Sequence, residues 1–518
     1  NSDTSTITNS GTITTSGSSG YGISSSSNSG TETITNSGTI TASGDGLRSS
    51  MGIGSYANSG TLTISNTSTI STSGSNADGI YLLRNSGTTT ITNSDTIKVT
   101  GSSAVGVTLD GGVTLNNSGT ISATGSATQA IDSTGTGNDT LTLSSGSNIT
   151  GSIDLGGGTD TVNITGVNGC ATSACMSTSL TFANTENINL SGATGAVSNG
   201  VAATVDPTGN SVLGVSLSTM TSAVHDVVSQ RMARTRAFGV PAAGRGASSW
   251  MQTIGAYRSR GTEGSAMGHS HSYVGFTGGI EKKVKDGRFG VIAGYASSSI
   301  STKKMSNSTN TNSFFGGIYG DVHLGRQISL TTSLLGGYEY HDNTRNVRNN
   351  VVGVESAKSD FSSLFISPSV TIASAYKIYE RVELRPSASV NYSIAWLDDH
   401  SERGTTQSNL SVDDRKIQAL STKLQIAAAY AYSATSEFEL RTGVNSRYTD
   451  DDDTEISIGG SKSKFSNVGD ENVYSSFVGA RIRIASSDQL SLVADVELGG
   501  NGDEDYKAGH LSVVYTFH

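Results

Sequence analysis

The sequence predicts an all-β protein: an N-terminal parallel β-solenoid, one linking helix and a C-terminal transmembrane β-barrel. Three observations carry this. The final strand places Leu511, Val513, Tyr515 and Phe517 on one side and Ser512, Val514 and Thr516 on the other. The preceding stretch sets Leu490, Leu492, Ala494, Val496 and Leu498 against Ser491, Val493, Asp495 and Glu497. Period-two alternation of a greasy face with a charged one suits strands between lipid and a wet lumen. Second, the first 165 residues repeat themselves about every 27 residues. Third, short and long connections alternate through the last third of the chain.

Composition narrows the classes. Of 518 residues, 34% are hydrophobic and 15% charged, with 64 Gly and 4 Pro, which excludes a helical bundle and collagen. The net charge of −10 argues against nucleic acid as a partner. No run approaches the ~18 apolar residues of a transmembrane helix, a test that barrel strands escape. Asn1 falls in mid-repeat with neither Met nor signal peptide, as expected of a mature or trimmed chain.

The repeat aligns without gaps at residues 7–13, 34–40, 64–70, 91–97 and 115–121, with starts 27, 30, 27 and 24 residues apart. Each copy brings two apolar positions around an Asn-Ser-Gly-type turn, and the first four follow a further Asn-Ser pair at Asn1, Asn28, Asn58 and Asn85. A third apolar position follows at Ile23, at Leu47 or Ile53, and at Ile80, Val107 and Ile131. Thr and Ile favour strands, and Asn-Ser-Gly favours turns. One copy cannot bury its own apolar residues, whereas stacked coils put Ile on Ile. The expectation is three strands per coil, three apolar columns and Asn ladders at the corners.

Residues 1–224 hold no His, and their Glu are Glu32 and Glu186, so a Ser-His-Asp triad within them is excluded. Paired carboxylates for glycoside hydrolysis stay formally open, but Asp45, Asp78, Asp95 and Asp110 fall in repeat loops, where Asp is an ordinary turn residue. Residues 155–160, ending at Asp160, read as a glycine turn rather than a calcium repeat, which needs several copies in register. No catalytic, cofactor-binding or metal-binding residues are assigned. Cys170 and Cys175 are the only cysteines. Their spacing favours a local disulfide in an oxidising compartment over a metal site, which wants four ligands.

Between Val212 and Arg236 the period changes to that of a helix, carried by Leu213, Leu217, Met220, Val224, Val227, Val228 and Met232. Ser218 or Thr219 is the candidate cap, and Arg231, Arg234 and Arg236 suit the C-terminal dipole. Its position just before the barrel points to a helix threading the lumen, with Leu217, Val224, Val228 and Arg231 as its candidate lumen residues.

Twelve strands can be placed, near 250–257, 273–282, 289–298, 313–322, 328–340, 361–376, 382–396, 417–432, 438–448, 473–484, 490–498 and 507–517. Long loops are expected at 258–272, 300–312, 341–360, 397–416 and 449–472. Arg481 and Arg483 fall on the lumen side of Ile482 and Ile484. Trp250, Tyr257, Tyr295, Tyr340, Tyr376, Tyr392, Trp396, Tyr448 and Tyr515 fall near strand ends, where aromatic girdles sit. The acidic run Asp450–Asp453 reads as a solvated loop tip.

A repetitive passenger, the amphipathic stretch from Ser218 to Arg231, a domain of about 275 residues opening at Trp250 and an aromatic terminal strand together resemble a monomeric autotransporter of type V secretion. The resemblance implies a right-handed β-helical passenger (1–165), a junction holding Cys170 and Cys175 (166–210), a lumen helix (211–243) and a barrel (244–518). It implies a Gram-negative outer membrane, lipid around the barrel, and a passenger exported to the cell surface. Periplasmic chaperones and the barrel-assembly machinery would be partners, the latter reading Leu511, Val513, Tyr515 and Phe517. Two departures stand out: His518 follows the terminal aromatic, and the helix lacks the Asn pair of self-cleaving members. The expectation is a monomer that keeps its passenger and needs no cofactor. The passenger is expected to act as an adhesin-like or structural stalk toward a host or environmental surface ligand. The alternative is an enzyme acting on polysaccharide.

Overall fold

The computed structural model describes residues 2–516 apart from 46–49, 166–175, 193, 235–246, 265, 285–286, 325–326, 434–435, 452, 467–471 and 486–489. Cys170, Cys175 and Phe517 lie outside the described residues, and with them the expected disulfide and the end of the terminal strand.

The N-terminal region is a parallel β-solenoid. One apolar column runs Ile7, Ile34, Ile64, Ile91, Leu115, Leu141, Val162 and Ile188, each residue in register with the next. A second runs Ile13, Ile40, Ile70, Ile97, Ile121 and Ile149. A third runs Ile23, Ile53, Ile80, Val107, Ile131, Ile153 and Phe182. Ile53 thus fills the third position of the second coil. The columns form one dry core in which Ile34, Ile64 and Ile91 are fully buried. Each such Ile contributes about 1.5–3 kcal/mol of burial, which is why the coils stack.

Inside the turn after the first sheet runs an amide ladder. Asn9, Asn36, Asn66 and Asn93 each donate Nδ2–H to the Oδ1 of the next rung, ending at Asn117, at 2.8, 2.8, 2.8 and 2.7 Å. The ladder satisfies buried amides that would otherwise cost stability. Glycine opens the third sheet for a steric reason: a Cβ on Gly52 would lie 2.5 Å from the Gly79 carbonyl oxygen.

Twelve long antiparallel strands close the barrel. They are β1 (Ala247–Arg260), β2 (His269–Val284), β3 (Gly287–Thr302), β4 (Asn307–Leu324), β5 (Ile328–Asn349), β6 (Gly353–Ser374), β7 (Val382–Leu397), β8 (Arg415–Ala431), β9 (Ser436–Asp451), β10 (Asn472–Ala485), β11 (Leu490–Gly500) and β12 (Glu504–Thr516). Closure comes from pairing β1 with β12, from Ser248 opposite Thr516 to Arg260 opposite Glu504. Facing follows the alternation in the sequence. Leu492, Val496, Leu498, Ile482 and Ile484 are exposed, while Asp495, Glu497, Arg481 and Arg483 are buried inside.

Four expectations need correction. The helix α1 spans Thr208–Arg234, so Ser218 and Thr219 lie in mid-helix, and the cap is Asp206, whose Oδ1 accepts the Thr208 N–H at 3.0 Å. Trp250 is no girdle residue: it is 4% exposed and donates its indole N–H to Tyr319 Oη at 2.8 Å inside the barrel. Much of the expected loops 258–272, 300–312 and 341–360 is strand, β5 and β6 pairing out to Asn349 opposite Gly353. Polar and charged residues erase the apolar period above the membrane, while the hydrogen-bond ladder continues in water. Loops 397–416 and 449–472 supply a four-stranded sheet instead, made of His400–Ser401, Ser411–Val412, Thr454–Ile458 and Ser461–Phe465. In the acidic run, Asp450 belongs to β9 opposite Gln418, and Asp453 pairs with Lys464 at 3.2 Å.

Candidate functional site: the helix in the lumen and its junction

Among the described residues no helix is long and apolar enough to cross a membrane by itself, and α1 crosses by filling the barrel. Its start is held at the end with long connections: Thr208 Oγ1 accepts the Met267 N–H at 2.9 Å, and Arg415 donates to the Asn210 carbonyl at 3.2 Å. Its last turns sit at the opposite, short-turn end, where Ser229 Oγ lies 2.9 Å from Thr371 Oγ1. The chain therefore runs from the passenger down through the lumen and enters β1 from the short-turn side.

The helix has two docking modes. Leu213, Leu217, Met220, Val224 and Val228 are buried among lumen residues such as Ile292, Phe315, Phe361 and Phe365. Between these contacts, hydroxyls meet hydroxyls. Ser218 faces Ser421 at 2.7 Å, Thr221 faces Ser393 at 2.8 Å, and Ser216 Oγ lies 2.9 Å from His271 Nε2. His225 is clasped on both nitrogens, by Ser333 at 2.7 Å and Ser367 at 2.9 Å. A Ser-lined wall can satisfy a Ser- and Thr-rich helix without leaving polar groups unpaired.

Charge fixes the lower half. Arg231 makes a two-pronged pair with Glu281, Nε to Oε2 and Nη2 to Oε1 both at 2.8 Å, and stands 5.4 Å over the Trp250 ring. Asp226 pairs with Lys423 at 3.0 Å, and Gln230 accepts from Arg481. The wall behind is a network of ion pairs: Arg441 grips Asp495 with two bonds of 2.7 Å and reaches Glu497 at 3.0 Å, while Arg385 binds Glu437 at 3.0 Å and Glu439 at 2.9 Å. Such pairs add little net stability over apolar packing, but losing one partner strands a buried charge, so they enforce one arrangement.

Of the residues singled out in the sequence, Leu217, Val224 and Val228 are buried against the wall and Arg231 reaches Glu281. Leu511, Val513 and Tyr515 face outward, 64%, 43% and 41% exposed, and Ser512 faces inward at 4%. The reading missed Asp226, His225, Glu281 and Lys423. Inward parity in each strand marks Glu281 and Lys423, but which residues meet across the lumen depends on closure.

Above the barrel the passenger is seated on the wall that follows it in sequence. Ser177–Ser179 pairs in parallel with Val347–Asn349 of β5. Asn350, in the β5–β6 turn, accepts the Thr181 N–H through Oδ1 at 2.9 Å, accepts the Gly151 N–H through its carbonyl at 2.6 Å, and donates Nδ2–H to Gly151 O at 3.0 Å. Ala196, Ala203 and Val205 of the passenger end share a buried cluster with Leu410, Val412, Ile456, Ile458 and Phe465 of the loop sheet.

Residues 249–497 match the family model described as Autotransporter beta-domain. Among solved structures, the translocator domain of autotransporter NalP from Neisseria meningitidis is similar at 14% identity, over 58% of this chain and 99% of that one, with a TM-score of 0.46. The beta domain of the Bordetella autotransporter BrkA matches at 14% identity, over 52% and 99%, with a TM-score of 0.41. The transport unit of AIDA-I from Escherichia coli matches at 13% identity, over 60% and 99%, with a TM-score of 0.35. No curated protein matches. The family model lies on the closed twelve-stranded barrel that holds the preceding helix: residues 249–497 are an autotransporter β-domain, which sits in the Gram-negative outer membrane with the β-solenoid passenger at the cell surface.

Proposed function

We propose that the passenger is an adhesin-like or structural stalk that stays joined to its barrel. The observation that carries this is α1, continuous from Thr208 to Arg234 and bound along its length by the lumen wall. A stalk needs uniform stacking and a hydrated outside, and the three apolar columns with Thr, Ser and Asn on the outer faces supply both. The division of labour follows the chain: solenoid over 1–165, junction over 166–210, lumen segment over 211–243 and anchor over 244–518. The ligand of the stalk is a host or environmental surface, and the displayed unit is a monomer. Within the cell, periplasmic chaperones and the barrel-assembly machinery handle the barrel, the latter engaging the alternating strand of Leu511, Val513, Tyr515 and Phe517. Cys170 and Cys175 form the small disulfide of the junction.

Expression of the full chain in a Gram-negative host, with protease shaving and a surface-adherence assay, tests the reading. A single outer-membrane species near 53 kDa, shaved to a protected barrel and losing adherence as the passenger goes, is expected. A separate barrel fragment without added protease, or adherence unaffected by shaving, overturns it. Phe517→Ala should prevent accumulation of folded barrel, read as loss of the heat-modifiable band on gels.

A further inference from the structure

The helix does not fill the lumen evenly. Three cavities among the described residues lie beside it. One of about 60 Å³ opens toward the short-turn end, reaching Ser329, Ser374 and Ala375. One of about 80 Å³ lies toward the long-connection end, reaching Arg447 and Val473. The third, about 40 Å³, lies against β1, β11 and β12 at Ile254, Asp495 and Ala508. Asp226 lines all three. Lys423 lines the first two, and Glu497 the last two.

These residues form one bridge. Lys423 Nζ lies 3.0 Å from Asp226 Oδ2 on the helix and 2.9 Å from Glu497 Oε2 on the wall, and 4.4 Å over the Phe477 ring. The bridge stands where the cavities meet. Polar spaces of this size hold several waters each, since one water needs only about 10–15 Å³ of such volume. On the side facing β3–β6 the helix is sealed, by Ile292, Phe315 and Phe365 and by His225 against Ser333 and Ser367 at 2.7 and 2.9 Å, so water has its room on the Lys423 side.

We propose that the occupied barrel keeps a narrow path for small ions beside the helix, with the Asp226–Lys423–Glu497 bridge as its constriction. The solutes are hydrated monovalent ions. The two cavities toward the mouths carry an excess of cationic side chains: Arg385, Arg481 and Lys423 against Asp226 and Glu439 in one, and Arg258, Arg447 and Lys423 against Asp226 and Glu497 in the other. Rings of one sign select the opposite ion, so the path prefers chloride to potassium. The proposal is independent of what the passenger binds.

The test is conductance of the purified full chain in planar bilayers, with the reversal potential read in a KCl gradient. Small steps with anion preference are expected from the unmodified chain. Lys423→Met, which removes the bridge and one cation, should raise the unit step roughly twofold or more and weaken the preference. Asp226→Asn breaks the same bridge from the helix side and serves if Lys423→Met does not give a heat-modifiable barrel. An electrically silent chain, cation preference in the unmodified chain, or bridge variants with its step size and reversal potential would each overturn the proposal.

Discussion

The solenoid and the barrel are built from the same alternating strand, turned inside out. In the solenoid Ile34, Ile64 and Ile91 are fully buried and Thr faces water; in the barrel Val496 and Leu498 are 47% and 49% exposed while Arg441 and Asp495 are enclosed. The difference teaches that a strand's apolar face has no fixed direction; the medium on each side of the sheet sets it. A rod in water must turn its Ile inward, because stacked coils offer the only dry place. A sheet in lipid turns them outward, because the lumen is the only wet one. Polar groups mirror this: the rod satisfies buried amides with a ladder along its axis, the barrel satisfies buried charges with pairs across its bore.

The largest expected effect strikes the barrel's interior. Arg441→Met leaves Asp495 and Glu497 without their shared partner, at a cost of roughly 3–5 kcal/mol. Urea titration of the heat-modifiable band in outer-membrane fractions should shift by that much, and an unshifted midpoint would mean that lumen water supports the acids alone. One substitution placed on both outer faces sharpens the comparison. Val496→Arg puts a cation in lipid, costing about 2–4 kcal/mol near the midplane. Thr92→Arg, on an exposed solenoid position, should stay within about 0.5 kcal/mol. Equal effects on barrel yield and passenger protease resistance would break the inside-out reading.

Acid should separate the regions further. Burial pushes the Asp78 carboxyl up to about 6, against hydrogen bonds from Thr108 and the Val105 N–H that pull it down. Burial likewise raises Asp139 to about 6, with Asp160 and Asp110 adding to the rise. Folded coils therefore bind more protons than unfolded ones between about pH 4 and 6, so passenger stability rises as pH falls through 6 and is lower at neutral pH. The effect for Asp78 is on the order of 2–3 kcal/mol. Limited proteolysis of the full chain at pH 5 and 7.5 should show the more resistant passenger at pH 5, with Asp78→Asn flattening the difference; greater resistance at pH 7.5 would contradict it. The smallest effect is Ser512→Ala on the lumen face of β12, expected within about 0.5 kcal/mol, whereas Tyr515→Asp on its lipid face should cost most of the folded barrel. Parity alone distinguishes these near neighbours, and similar yields would mean β12 is misregistered.

Much of this architecture was legible because it is periodic. The columns through Ile64, Ile70 and Ile80 are a repeat in the sequence before they are a core, and the facing of Leu511 and Ser512 follows from a period of two. Strand ends were less legible: above the membrane β5 and β6 continue on polar and charged residues such as Asn343, Thr344, Arg348, Glu355, Ser356 and Lys358, where no apolar period survives. Trp250 shows the same limit from the other side. An aromatic near a strand end suggests a girdle, but its parity with Gln252 sets it inside, where Tyr319 awaits its N–H.

The sequence by itself determined a stacked solenoid, a membrane barrel of twelve strands and a helix between them, because each is a local pattern repeated until it excludes alternatives. Only the tertiary structure decided which lumen groups meet. That Lys423 stands between Asp226 and Glu497, that Arg231 reaches Glu281, and that Asn350 receives the passenger's last coil all join residues between 50 and 199 positions apart. Parity says that a side chain points inward, but its partner is set by the tilt and closure of the strands, the depth of the helix and its rotation. Those are properties of the assembled barrel, in which a charge takes whichever opposite charge the closed geometry brings within reach.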